Sequence, residues 1–90
     1  MQRDFNMVAP PTLDQICPLS TLSTNARGIV VEITAGKDAV RRLASLGLTP
    51  GAEITVIQNP RYGPLIVLVR NVRLALGRGE AQKIQVRRCE

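Results

Sequence analysis

The chain has 90 residues, twelve basic and seven acidic side chains for a net charge of +5, a hydrophobic fraction of 44% and an aromatic fraction of 2%. A chain this short buries roughly 60–65% of its unfolded surface, which allows one core and one domain. With no histidine, nucleophile–base pairs of the Ser–His or Cys–His kind are excluded. No apolar run approaches the roughly 20 residues that cross a bilayer, and no signal-peptide core precedes a small-residue cleavage site, so the expected location is the cytoplasm. The core has to be aliphatic, which favours strands.

Residues 1–15 show neither a helical nor a strand period, and Pro10-Pro11 blocks regular structure. A flexible N-terminal arm is expected there, with a single barrel domain over 16–90. In Pro18-Leu19-Ser20-Thr21-Leu22 the two leucines lie one turn apart and can anchor the chain. Asn25 tolerates the left-handed geometry that closes such a turn. From Gly28 the run Ile29-Val30-Val31-Glu32-Ile33 is β-branched and reads as the first strand.

The stretch that orders the chain comes next. Val40, Leu43 and Leu46 recur every third residue and give a short helix from about Lys37 one apolar stripe. Gly47 follows, where a helix ends most cheaply in a left-handed residue. Pro50-Gly51 supplies a type II turn, and Ile54 and Val56 alternate with Glu53 and Thr55 as the second strand, to about Gln58. The rest of the chain is expected to pair with this unit.

Asn59-Pro60-Arg61-Tyr62-Gly63-Pro64 reads as a hairpin loop. Leu65 to Arg70 is the third strand, apolar until Arg70. Asn71 marks a tight turn and Leu74-Ala75-Leu76 continues the sheet. Gly77 to Ala81 is a corner or a single helical turn. Lys83 to Arg87 is the last strand, with Ile84 and Val86 inward. Five or so short strands, one short α-helix and frequent turn signals describe a mainly β chain folded as a small barrel.

Chemistry is sparse. Glu32, Glu53 and Glu80 have no spacing that converges them, so solvated strand faces are expected. Gly77-Arg78-Gly79 lacks the Lys-Ser/Thr of a phosphate loop. Without histidine, and with Cys17 and Cys89 far apart in sequence, an iron site has no obvious ligands. No catalytic site, metal site or cofactor is read. The two thiols are expected to be reduced, although a bridge between the ends of the domain is the alternative.

The order of these residues resembles the FeoA family, small cytosolic proteins associated with bacterial ferrous iron uptake. Its carriers are Pro18-Leu19-Ser20-Thr21-Leu22, Gly28, Arg42-Leu43, Leu46-Gly47-Leu48-Thr49-Pro50-Gly51, Pro60 with Gly63-Pro64, Leu74-Ala75-Leu76, and Glu80-Ala81 with Ile84-Gln85-Val86. Asn25 and Asn71 stand where the family commonly has glycine, and Gly77 where it usually carries an arginine. The resemblance implies an SH3-like barrel that is not an enzyme. It also implies a protein-interaction module acting on the cytoplasmic, G-protein-containing region of the ferrous iron transporter, reaching the membrane only through that transporter. A homo-oligomer is a further expectation.

Ten of the twelve basic residues are arginine, and residues 16–90 hold eleven basic against five acidic, a net +6. That balance suits an anionic partner: nucleic acid, a membrane surface or an acidic protein face. The alternative function is therefore a nucleic-acid-binding or regulatory barrel, related to the C-terminal modules of metal-dependent repressors. Tyr62 as a lone stacking platform and the lack of a preceding helix-turn-helix weigh against it.

Candidate contact residues follow from exposure and type. Arg61 and Tyr62 sit on a proline-bounded loop, where a cation beside an aromatic is a common contact pair and a solvated loop tip is the plainer reading. If Leu65, Val67 and Val69 face the core, Ile66 and Leu68 face outward, awaiting a partner or a cover from the rest of the chain. Arg42 and Arg78 complete the set; for Arg42, the negative end of the helix dipole is explanation enough.

Overall fold

The structure, a computed structural model, describes residues 16–89; the expected arm over 1–15 lies outside them. In chain order come β1 (Ile16–Pro18), a 3-10 turn (Leu19–Thr21), β2 (Arg27–Ile33), α1 (Lys37–Ser45), β3 (Glu53–Gln58), β4 (Leu65–Val69), β5 (Val72–Leu76), α2 (Arg78–Gln82) and β6 (Ile84–Cys89). The strands form one antiparallel sheet in the order β1-β6-β2-β3-β4-β5. The mainly β architecture is as expected, with six strands where five or so were read. The strand that sequence reading misses is β1, whose three residues are too few to show alternation. The first long strand begins at Arg27, and the last starts at Ile84 and reaches Cys89.

Period-2 alternation builds the core. Ile54 and Val56 from β3, Leu65, Val67 and Val69 from β4, Leu74 and Leu76 from β5, and Ile84 and Val86 from β6 are all buried. They share that core with Leu19, Leu22, Leu43, Leu48 and Ala81, and among the described residues no polar residue is buried with them. The register slips between Val30 and Glu32 and between Val56 and Gln58, the bulges that let a sheet this small bend round its own core. β1 and β5 are the outer strands of the sheet. The 3-10 turn follows β1 directly, α2 follows β5 directly, and the two pack together. The barrel is thus closed by two helical turns, with Leu19, Leu22 and Ala81 fully buried between them.

The helix is less central than its place in the sequence implies. Of the stripe Val40, Leu43 and Leu46, only Leu43 is fully buried, and Leu46 is 43% exposed. Leu48, beyond the helix, takes the second core position. The reason lies in how the helix stops. Gly47 is left-handed (φ 96°), its N–H donates to Ala44 O at 3.0 Å, and the Leu48 N–H donates to Leu43 O at 2.9 Å. This is a Schellman ending, which folds the residue after the glycine back against the last turn. The side chain of Arg70 passes so close that a Cβ at Gly47 would lie 3.3 Å from its Cδ. Gly47→Ala is therefore expected to lower stability by about 1–2 kcal/mol through left-handed strain alone. Urea denaturation is the measurement, and Gly47→Asn is the milder control.

Candidate partner-binding surface

The outward face of β3, β4 and β5 carries the residues that the core cannot use. Strand register lines up Arg27, Thr55, Leu68 and Arg73 on one rung, and Gln58, Ile66 and Ala75 on another. Ile66 and Leu68 are half-buried, and they do point away from the buried trio Leu65, Val67 and Val69. Beside Leu68 lies a shallow concavity of about 330 Å³ lined by Glu53, Thr55, Leu68, Arg70 and Asn71. Glu53 is held there by Arg27 at 3.4 Å, an exposed pair of the kind that contributes little to stability.

At one end of this face, β3 runs into the loop Asn59–Pro64, on which Arg61 is exposed and Tyr62 is 83% exposed. The base of that loop is fixed. Asn59 Nδ2 donates to the carbonyls of Ser20 (3.0 Å) and Leu22 (2.6 Å). Asn59 Oδ1 accepts from Arg78 Nη2 at 2.7 Å, and the same nitrogen donates to Pro60 O at 2.7 Å. One asparagine thus links β3, the 3-10 turn and α2.

The structure sorts the six candidate residues into three groups. Arg61 and Tyr62 stand at the loop tip, and Ile66 and Leu68 lie on the outer sheet face. Arg42 and Arg78 are engaged inside the domain. Arg42 pairs with Glu80 of α2, so the cation at the helix end fastens α1 to α2 as well as facing the dipole. Glu80 is accordingly not on a solvated strand face; its side chain is 19% exposed and paired. Arg78 does not project outward but supports the loop that carries Arg61 and Tyr62. Sequence reading missed Asn59, whose Asn-Pro context signals only a turn, and Arg70 and Arg73, which only the register places beside Leu68.

Both thiols are free. Cys17 lies opposite Val86, three positions along β6 from Cys89, which at roughly 3.3 Å per residue is about 10 Å and on the other face. Among the described residues no group of three or more Cys, Asp or Glu side chains is placed to hold a metal ion. No helix among them is long and apolar enough to cross a membrane.

Comparison with known proteins turns this surface into a question about one family. The FeoA domain model matches residues 17–88. The chain belongs to the FeoA family. An Fe(2+) transport protein A of Methanocaldococcus jannaschii is 38% identical over 73 residues, covering 81% of this chain and 88% of the relative. The crystal structure of an iron uptake regulatory protein, FeoA, superposes with a TM-score of 0.78 at 43% identity, over 82% of this chain and 99% of that one. FeoA of Stenotrophomonas maltophilia in complex with zinc, described as a prokaryotic SH3 domain protein, gives 0.65 at 32% identity over 76% and 86%. The SH3-like barrel is thus the fold of this FeoA-family chain. A manganese-dependent transcriptional repressor gives 0.76 at 24% identity over 82% of this chain and 42% of its own, a likeness of fold alone.

Proposed function

We propose that this FeoA-family chain is a cytoplasmic accessory of ferrous iron uptake that works by binding, without catalysis, to the soluble G-protein-containing region of the ferrous iron transporter. Family membership carries the first half of the reading. The second half is supported by one structural observation: Asn59 and Arg78 spend four hydrogen bonds, in part-buried positions, on holding a loop whose tip exposes Arg61 and Tyr62. The same bonds that tie β3 to the 3-10 turn and α2 also fix the base of the loop, and a preorganised Arg–Tyr pair loses less freedom on binding. The half-buried Ile66 and Leu68 on the adjoining sheet face supply apolar area beside it.

The test is a titration of isotope-labelled protein with the transporter's soluble region at physiological salt. Amide shifts are expected at the Arg61–Tyr62 loop and at Ile66 and Leu68. Replacing Arg61 and Tyr62 with alanine is expected to weaken binding about 30-fold, the effect of losing roughly 2 kcal/mol at a contact centre. Unchanged affinity in that double variant removes the loop from the proposal. The nucleic-acid reading is favoured by no structural observation beyond the net charge.

A further inference from the structure

Within the described sheet β5 has a neighbour on one side only, β4. The turn that joins the two strands decides which of its backbone groups are spare. Arg70 (φ 52°) and Asn71 (φ 66°) are both left-handed, as a two-residue type I′ hairpin requires. Such a turn is closed by hydrogen bonding between the flanking residues, here Val69 and Val72, and bonded and non-bonded pairs alternate from that point. Val72, Leu74 and Leu76, opposite Val69, Val67 and Leu65, therefore direct their N–H and C=O groups to β4. Arg73 and Ala75 direct theirs away from the sheet. Among the described residues no turn, loop or cap hydrogen bond reaches them.

An edge with no strand neighbour among the described residues accepts another strand, and its surroundings indicate the chemistry of that strand. Arg73 stands on the edge strand itself, on the outer face opposite Leu68, and the ion pairs among the described residues, Arg27–Glu53 and Arg42–Glu80, do not include it. Val72 is 53% exposed at the start of the edge, and Ala75 adds a small exposed side chain on the outer face. A second copy would bring another Arg73 and another net +6 to the same place. A segment bearing carboxylates would bring the opposite charge.

We propose that the free edge of β5 is a strand-addition site for an extended, acidic segment of a partner protein. The segment pairs its backbone with Arg73 and Ala75 and sets carboxylates on the outer face, against Arg73. The apolar side chains between the carboxylates fall on the opposite face of the added strand, beside the exposed Val72. This deepens the partner reading above and rests on it for the identity of the partner, but not for the chemistry of the edge.

Ala75→Pro removes an outward N–H while leaving the β4–β5 ladder intact, because proline is accepted on an edge strand where its nitrogen faces away. Ala75→Thr keeps the N–H. The probes are a blocked Glu-Val-Glu-Val-Glu peptide and, separately, the transporter's soluble region. With the wild-type chain, either probe is expected to shift the Arg73 and Ala75 amides and slow their hydrogen exchange, a readout that needs no variant. Ala75→Pro is expected to weaken binding about tenfold or more, as for loss of a well-placed hydrogen bond, and Ala75→Thr to leave it unchanged. Arg73→Glu is expected to abolish the salt dependence of what binding remains.

A peptide that leaves both amides unmoved at millimolar concentration overturns the site. If the transporter region binds Ala75→Pro as tightly as wild type, the edge is excluded and the partner reading stands. If the peptide binds the edge while the transporter region binds nowhere, the edge stands and the partner reading fails. Protection of the two amides by self-association, followed by sedimentation, replaces the acidic segment with a second copy and overturns the proposal.

Discussion

Leu22→Ala is expected to lower the unfolding free energy by about 3 kcal/mol and the melting temperature by roughly 12–24 °C. Leu22 is fully buried, and its Cδ1 lies 3.6 Å from the position a Cβ would take at Gly28, so the deleted atoms leave a hole walled partly by backbone that has little room to collapse. A domain of this size has a total stability of only about 4–11 kcal/mol, so this one truncation removes a large share of it. Leu46→Ala is the internal comparison. That leucine is 43% exposed, and its loss is expected to stay below about 1 kcal/mol. Thermal unfolding followed by circular dichroism separates the two. Equal effects would contradict the burial described for them.

Asn59→Ala is expected to cost about 2–3 kcal/mol, because it takes the side-chain donor from the carbonyls of Ser20 and Leu22 and leaves Arg78 Nη2 with Pro60 O alone. Arg78→Ala removes part of the same arrangement, its bonds to Asn59 and Pro60. The two losses should therefore not add. A double-mutant cycle in urea is expected to give a coupling of about 1–2 kcal/mol, and strict additivity would show that the groups act separately. Arg78→Lys is not expected to rescue, since an ammonium cannot reproduce the planar fork that meets Asn59 and Pro60 together. In both alanine variants the amides of Arg61 and Tyr62 are expected to exchange faster than in the wild type, which ties the interior bonds to the exposed loop.

How much of this was legible in the sequence depends on whether a residue's role is set by its neighbours in the chain. Asn25 and Asn71 have the positive φ that their type suggests, and Gly47 ends the helix as its position implies. The alternation in Leu65–Val69 gave the inner and outer faces of β4 correctly, because strand geometry leaves no other choice. Leu46 misled, since a three-residue spacing fits a helical stripe equally well whether or not anything packs over its last member. Asn59 and Arg78 were opaque for a different reason: their partners lie 18 to 39 positions away, and no local pattern marks a hydrogen bond across that distance. Arg73 was silent until the register set it beside Leu68.

β1 and β6 run antiparallel side by side, with Ile16 opposite Arg87, so the first and last described strands bring their outer ends to the same place. A few added residues would bridge those ends and make the domain a closed loop of chain. The chain could then be cut anew at Gly63, which has a positive φ of 94° and nothing within 4 Å of where a side chain would begin. A cut at Asn59 or Pro60 would instead pass through the bonds that hold the barrel shut. The order in which these strands are spelled out is therefore separable from the way they pack, and a chain begun at Gly63 is expected to fold to the same barrel.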